Sequence, residues 1–198
     1  MSKEKIATSS NKNAAVFLDR DGTIIEDRGH LCAPSEVAFF PETFEALQKL
    51  QKYYRLFIIT NQPGIAKGII SPDDVENVNN HIKAILRERK IDIANIYVCP
   101  HKREDGCECI KPNPYFLQKS AKDYNIDLQH SFVVGDHPHD IQLAKNVGAR
   151  GIYILTGHGR KHVAEVPEDT EVVSGIMEAT ERIISCHYDA TMPRSGRK

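Results

Sequence analysis

The chain has 198 residues, a formal net charge of -1 and 40% hydrophobic residues. This length suits one domain with a full hydrophobic core, and the balanced charge argues against a nucleic-acid partner. No apolar run approaches the roughly 20 residues of a membrane span, and the polar N-terminus lacks the apolar region of a secretory signal. We therefore expect a monomeric cytoplasmic protein without a nucleic-acid or membrane partner.

The first predicted element is a buried strand that ends in two acidic residues. Residues 14–18 form a short apolar run without alternation, which is typical of a strand in a parallel sheet. Asp19 and Asp21 follow it, and their i, i+2 spacing directs both side chains to the same side. Gly22 then lets the chain turn away. An ordinary Asp-Gly turn is the alternative explanation, but turns rarely need two acids after so apolar a strand.

Helices and strands alternate along the rest of the chain. In order, we predict a helix from Pro41, a strand over 55–60, a helix from Ser71, a strand over 96–99, a helix from Asn113, a strand over 132–135, a helix over 138–147, a strand over 151–155 and a helix over 172–185. This alternation predicts an α/β fold with a doubly wound, Rossmann-like parallel sheet. We expect flexible tails at residues 1–12 and 187–198 and a single domain over residues 13–186.

Polar residues follow the predicted strands, where open α/β sheets place their ligands. They are Asp19 and Asp21, Thr60 and Asn61, Lys111, and Asp136. The aspartates offer the oxygen ligands that Mg²⁺ prefers, while a lysine and a hydroxyl can stabilise a phosphoryl group. One carboxylate can act as a nucleophile and a second as a general acid and base. The pattern therefore predicts magnesium-dependent phosphoryl transfer.

A cluster of cysteines predicts a second metal site. Cys99, His101, Cys107 and Cys109 supply three thiolates and one imidazole, a set that suits tetrahedral zinc. Four protein ligands leave no open position for water, so we expect a structural Zn²⁺ in the loop 99–109. The alternative is a reduced surface loop with incidental thiols.

The polar segments resemble the four ordered motifs of the haloacid dehalogenase superfamily of phosphohydrolases. They read DRDGT at 19–23, TN at 60–61, KP at 111–112 and GD at 135–136. A narrower resemblance, carried by LDRDGTI, TNQPGIAKG, CPH…CEC and VGD, is to the D-glycero-D-manno-heptose 1,7-bisphosphate 7-phosphatases and the related histidinol-phosphate phosphatases. The resemblance implies a haloacid dehalogenase-like fold with no large cap domain, since the segment 24–59 is too short for one.

The resemblance also implies a role for each matched position. Asp19 would be the nucleophile, and Asp21 the general acid and base. Thr60 and Lys111 would stabilise the phosphoryl group. Asp136 would bind Mg²⁺ together with Asp19 and the backbone carbonyl of Asp21.

The substrate implied is a small phosphorylated metabolite, with the 7-phosphate of D-glycero-D-manno-heptose 1,7-bisphosphate as the first expectation. The residues expected to contact it are Arg20, Asp27, His30, Asn61, Gln62, Ile110 and His137. Ile110 stands where the heptose enzymes usually have arginine, and His137 stands where lysine often follows the metal-binding aspartate. Histidinol phosphate is the alternative substrate, and a catalytically silent zinc-bearing scaffold is the alternative of another class.

Two further polar residues follow the fourth and fifth strands. Asp140 either supports the metal site or caps the helix that begins at Pro138. His158 lies between two glycines, and we interpret its segment as an ordinary exit loop.

Overall fold

The computed structural model describes residues 13–191, so the predicted tail at 1–12 and residues 192–198 lie outside the described part of the chain. The strands are β1 (Ala15–Leu18), β2 (Arg55–Asn61), β3 (Ile93–Cys99), β4 (Phe132–Gly135), β5 (Arg150–Ile154) and β6 (Glu171–Val173). The α-helices are α1 (Thr43–Leu50), α2 (Pro72–Glu88), α3 (Tyr115–Tyr124), α4 (Pro138–Lys145), α5 (Gly159–His162) and α6 (Ile176–Thr191). Among these helices none has the length and apolar composition needed to cross a membrane.

The six strands form one parallel sheet, which confirms the predicted α/β architecture. Their order is β3-β2-β1-β4-β5-β6, with parallel pairing throughout. All four residues of β1 are buried, as expected for a central strand covered on both faces. The strand order reverses between β1 and β4, and this switch point opens a crevice at the carboxyl ends of the strands.

Helices cover both faces of the sheet because successive residues of each strand point to opposite sides. Val16 and Leu18 join a core cluster that also contains buried residues of α1, α2 and α6. Phe17 joins a second cluster with residues of α3 and α4. The connection from β1 to β2 contains α1 and one short 3-10 turn at Pro34–Glu36, so it holds no large cap domain.

Helix α2 begins where the sequence predicts. The hydroxyl of Ser71 accepts a hydrogen bond from the amide of Asp74 at 3.1 Å, and the Asp74 carboxylate accepts one from the amide of Ser71 at 2.8 Å. This reciprocal capping satisfies two amides of the first turn. Val78 and Ile82 on the inner face of the helix are fully buried in the first cluster.

The predicted start of the last helix is wrong. Val172 and Val173 belong to β6, and the helix begins only at Ile176. A strand of three residues is too short for periodicity to reveal, and its pairing with β5 depends on residues about 20 positions away. Helix α6 also continues to Thr191, into the segment that the sequence predicts to be a tail.

The second core cluster depends on a stack of aromatic rings, and we expect Phe57 to be its most sensitive member. Phe57 is fully buried and stacks on Phe17 with 5.1 Å between ring centroids. Phe57→Ala should lower the free energy of unfolding by about 3–5 kcal/mol, because it removes a large buried side chain and leaves a cavity. Urea denaturation measures the change. The control Tyr115→Ala removes an aromatic ring that is 42% exposed, so an equal loss in the two variants would contradict this account.

Candidate active site

A cavity of ≈ 300 Å³ opens at the carboxyl edge of the central strands. Its lining residues are Asp19, Asp21, Asp27, Thr60, Asn61, Arg103, Lys111, Asp136, His137, His139, Asp140 and His158. These residues lie at the end of β2 or in the segments that follow β1, β3, β4 and β5, so the cavity gathers the carboxyl ends of five strands. Polar side chains from separate strands thus meet at the switch point, as the sequence predicts.

Lys111 lies at the floor of the cavity between two buried carboxylates. Its ammonium donates to Asp140 Oδ1 at 2.7 Å and contacts Asp19 Oδ1 directly. Burial of the ammonium lowers the pKa of Lys111, but the charges of Asp140 and Asp19 outweigh burial and hold that pKa above its usual range. Asn61 at the end of β2 fixes the lysine's backbone, since its Oδ1 accepts the Lys111 amide at 3.2 Å. Lys111 is therefore a permanent cation at a defined position.

Burial raises the pKa of Asp19 well above its ordinary value, although the ammonium of Lys111 opposes that effect. The nearby carboxylates of Asp140, Asp136 and Asp21 raise the pKa further. Asp19 Oδ2 accepts no hydrogen bond from the described residues, so it is the open oxygen of this carboxylate. The site thus holds more negative charge than Lys111 balances, which is the electrostatic condition for binding a divalent cation.

Asp21 is held from behind by Arg20. The guanidinium donates from Nε to Asp21 Oδ2 at 2.9 Å and from Nη2 to Asp21 Oδ1 at 3.1 Å, while Nη1 donates to Asn79 of α2 at 2.7 Å. Thr60 and Gln62 also donate to Asp21 Oδ2, at 3.2 and 2.9 Å. This network fixes the orientation of a carboxylate that still faces the cavity.

Asp136, which follows β4, is enclosed by two glycines. A Cβ atom at either Gly22 or Gly157 would lie 2.1 Å from Asp136 Oδ2, and both glycines have positive φ. The amide of His158 donates to the same oxygen at 2.7 Å. Burial raises the pKa of Asp136 to about 6, and the hydrogen bond from His158 moderates the rise. The exit loops of β1 and β5 thus need glycine in order to close around this carboxylate.

Histidines and one more carboxylate form the rim. His158 Nε2 lies 2.8 Å from Asp27 Oδ2, which makes an ion pair when the imidazole is protonated. His137 and His139 stack with 4.4 Å between ring centroids. Burial lowers the pKa of His137 to about 4, and burial also lowers the pKa of His139. These two imidazoles are therefore neutral hydrogen-bonding groups near pH 7.

Four residues that the sequence predicts to contact substrate do not line the cavity. Arg20 is fully buried, because it alternates with Asp19 and Asp21 and points to the other side. Gln62 lies behind Asp21, and its amide nitrogen also bonds the Thr60 hydroxyl at 2.8 Å. Ile110 is buried beside Lys111, and His30 lies outside the lining, next to Gly64. Asp27, Asn61 and His137 do lie in the lining.

Sequence reasoning missed part of the lining. His158, interpreted above as part of an ordinary exit loop, contacts both Asp136 and Asp27. Asp140 caps the start of α4, as one of the two alternatives predicts, since it accepts the His137 amide; it also binds the ammonium of Lys111. Arg103 reaches the cavity from the cysteine-rich loop. No local pattern marks these residues, because their approach depends on how the exit loops pack.

The predicted metal ligands of the cysteine-rich loop come together. Their four ligand atoms lie within 4.8 Å of one another. The Sγ–Sγ distances are 3.6 Å for Cys99 and Cys107, 3.1 Å for Cys99 and Cys109, and 3.7 Å for Cys107 and Cys109. His101 Nδ1 lies 3.4 Å from Cys109 Sγ. A tetrahedral site with metal–sulfur bonds of about 2.3 Å has edges of roughly 3.8 Å, so the cluster fits such a metal.

Comparison with known protein sequences shows that the chain is similar to phosphohydrolases, in agreement with the residues at the site. A family model described as HAD-hydrolase-like matches residues 108–179. The D-glycero-beta-D-manno-heptose-1,7-bisphosphate 7-phosphatase of Helicobacter pylori strain J99 is 35% identical over 146 residues, which are 73% of this chain and 84% of the relative. The enzyme of the same name from Photorhabdus laumondii is 36% identical, over 80% of this chain and 88% of the relative.

Comparison with solved structures also shows similarity to phosphatases. The crystal structure of D,D-heptose 1,7-bisphosphate phosphatase from B. bronchiseptica, complexed with magnesium and phosphate, superposes with a TM-score of 0.80 and 29% identity. The superposition covers 87% of this chain and 98% of the B. bronchiseptica chain. A HAD-like phosphatase from Mesorhizobium loti gives a TM-score of 0.76 at 25% identity, over 92% and 90% of the two chains. The chain therefore belongs to the D-glycero-D-manno-heptose 1,7-bisphosphate 7-phosphatase family of haloacid dehalogenase-like hydrolases.

Proposed function

We propose that this protein hydrolyses the 7-phosphate of D-glycero-β-D-manno-heptose 1,7-bisphosphate. The observation that carries the proposal is the arrangement of Asp19, Asp21 and Lys111 at the switch point of the sheet, within one cavity of ≈ 300 Å³. The names of the relatives supply the substrate, and these relatives match the chain over most of its length. A catalytically silent scaffold would not need to keep this complete set of reacting groups.

In the first step, Asp19 Oδ2 attacks phosphorus and the bond from phosphorus to the sugar oxygen breaks. An aspartyl-phosphate forms, and Asp21 gives its proton to the departing sugar alkoxide. Lys111 donates hydrogen bonds to the phosphoryl oxygens, where negative charge is concentrated in the transition state. The Thr60 hydroxyl does the same once it turns from Asp21 Oδ2 towards the phosphate. Arg20 keeps Asp21 oriented towards the leaving oxygen.

In the second step, water attacks phosphorus and the bond to Asp19 breaks. Asp21, now ionised, takes a proton from the water, so inorganic phosphate leaves and both aspartates return to their starting states. The same acid and base thus serve both steps. Because Asp19 and Asp21 flank Arg20 at the end of a rigid central strand, their separation stays fixed through the cycle.

The donor set around Asp19 fits Mg²⁺. Asp19 and Asp136 would hold it by carboxylate oxygens, with the backbone carbonyl of Asp21 as a third ligand. The excess carboxylate charge described above supports this assignment, since burial and mutual repulsion disfavour ionised carboxylates without a cation. Bound Mg²⁺ would neutralise charge on the substrate phosphate.

The cluster of Cys99, His101, Cys107 and Cys109 would hold Zn²⁺ in a structural role. Three thiolates and one imidazole are a zinc donor set, and four protein ligands leave no position for a reacting water. Lys111 follows Cys109 by two positions. Zinc would therefore help to place Lys111 at the cavity floor.

Substrate preference tests the proposed activity. Phosphate release with Mg²⁺ should give a kcat/KM for the heptose bisphosphate at least about 100-fold above that for histidinol phosphate, since a difference of ~3 kcal/mol is within reach of charge complementarity. A preference for histidinol phosphate would contradict the proposal. Weak turnover of both substrates would be consistent with a phosphatase reaction but would reject the heptose bisphosphate as its substrate.

The aspartyl-phosphate step predicts the effect of Asp19→Asn. An amide is a poor nucleophile, so kcat should fall by at least about 1,000-fold while the fold persists. Phosphate release measures the rate, and circular dichroism checks the fold. Asp123→Asn removes an exposed carboxylate on α3 and should leave the rate unchanged. If Asp19→Asn kept more than roughly a tenth of the activity, the covalent mechanism would be rejected.

The zinc assignment predicts about one Zn²⁺ per chain, because the four ligands form one tetrahedral set. Cys107→Ser should lose the metal, and proteolysis within residues 99–111 should become faster because the loop has little apolar content of its own. Elemental analysis and limited proteolysis measure the two effects. Cys32→Ser provides the matched control, since Cys32 is exposed and lies outside the cluster. Equal zinc content in both variants would contradict the assignment.

A further inference from the structure

Arg103 brings a cation to the active-site cavity from outside the reacting centre. It lies in a 3-10 turn, Arg103–Asp105, within the loop that joins two residues of the cysteine-rich cluster. Its Nη2 atom is 3.2 Å from the backbone oxygen of Lys111 and 3.3 Å from His139 Nδ1. These contacts hold the guanidinium at the wall of the cavity, above the lysine that lies at the floor.

The charge of Arg103 is not balanced by any carboxylate. Lys111 pairs with Asp19 and Asp140, and the imidazole of His158 lies against Asp27. By contrast, no described carboxylate lies within ion-pair distance of Arg103, whose two partners are a carbonyl oxygen and a ring nitrogen. A guanidinium stays protonated at all physiological pH values. The cavity wall therefore carries one positive charge that the protein itself leaves uncompensated.

Most of the hydrogen-bonding capacity of this guanidinium is also unused. Within residues 13–191 its Nε and Nη1 atoms have no hydrogen-bond partner, and both of its hydrogen bonds come from Nη2. An arginine N–H group donates a charge-assisted hydrogen bond to a phosphate oxygen, so the free donors on Nε and Nη1 can each bind one. Ile110, the residue next to Lys111, offers no such group, because it is apolar, buried and absent from the lining.

We propose that Arg103 binds the second, non-reacting phosphate of the substrate and thereby sets the preference for a bisphosphate over a monophosphate. This inference rests on the proposed function, because it assigns a position to the phosphate that is not hydrolysed. In this arrangement Lys111 binds the phosphate that is hydrolysed, and Arg103 at the cavity wall binds the second phosphate.

The electrostatics of the cavity explain why a second phosphate needs such a partner. A phosphate monoester carries a charge of about -1.5 to -2 at pH 7. The lining contains five aspartates, so a second phosphate that entered without a dedicated cation would meet net repulsion. Histidinol phosphate has no second phosphate, and its ammonium and imidazole groups offer the guanidinium no anionic partner. The same residue thus favours the bisphosphate over histidinol phosphate.

The test compares Arg103→Met with wild type on two substrates that differ only in the second phosphate: the heptose 1,7-bisphosphate and the heptose 7-phosphate. We expect kcat/KM for the bisphosphate to fall about 10- to 100-fold, the size of a lost charged hydrogen-bonded contact, mainly through KM. The value for the monophosphate should stay within about twofold of wild type. Arg103→Lys keeps the charge but loses the fixed planar array of donors, so its kcat/KM for the bisphosphate should fall between those of wild type and Arg103→Met.

Lys102→Met is the matched control, since it removes a neighbouring cation on the same loop whose side chain does not line the cavity. It should leave the ratio of the two kcat/KM values unchanged. Zinc content and melting temperature of each variant check that the loop keeps its structure.

Two outcomes would overturn the inference. An equal loss on both substrates would mean that Arg103 acts on the reacting centre or supports Lys111 structurally. An unchanged preference in Arg103→Met would mean that the second phosphate binds elsewhere. Failure of the proposed function gives a different result, because wild type itself would then turn over the bisphosphate no better than the monophosphate and histidinol phosphate.

Discussion

The ammonium of Lys111 lies between the buried carboxylates of Asp19 and Asp140, and this contact joins three parts of the fold. Asp19 follows β1, Asp140 lies in the first turn of α4, and Lys111 follows the cysteine-rich loop. Each of these charges would be costly to bury alone, by several kcal/mol per ion. Buried together, they compensate one another and fix the relative positions of the three segments. The floor of the cavity is therefore set by electrostatics rather than by apolar packing.

The ion pair of buried Arg20 with half-buried Asp21 fixes a second carboxylate of the cavity. Asp21 lines the cavity, where we propose that it acts as an acid and base, yet a short side chain at the end of a strand has few supports of its own. Arg20 provides one from the opposite side of the chain, and Asn79 of α2 anchors the far nitrogen of its guanidinium. Lys111 inside the cavity thus orients the carboxylates of Asp19 and Asp140, and Arg20 behind the cavity orients that of Asp21.

Local patterns predict the strands, the capped start of α2 and the reacting groups, because each depends on a few adjacent residues. The apolar run before Asp19 marks a central strand, and Ser71 with Asp74 marks a helix start. The sheet edge then brings Asp19, Lys111 and Asp136 together without further information. The same reasoning fails for β6, where a strand of three residues carries too little pattern.

Prediction from local sequence patterns also fails for His158 and Arg103, whose positions depend on loop packing. His158 reaches Asp136 because Gly22 and Gly157 let two exit loops approach closely. Arg103 reaches the cavity because its loop folds back over Lys111. Asp19, Thr60 and Asp136 lie at strand ends whose geometry the sheet dictates, whereas His158 and Arg103 lie on loops that the sheet leaves free. If Arg103 binds the second phosphate as proposed, this chain carries the recognising cation on the 3-10 turn Arg103–Asp105, whereas position 110 is a buried isoleucine.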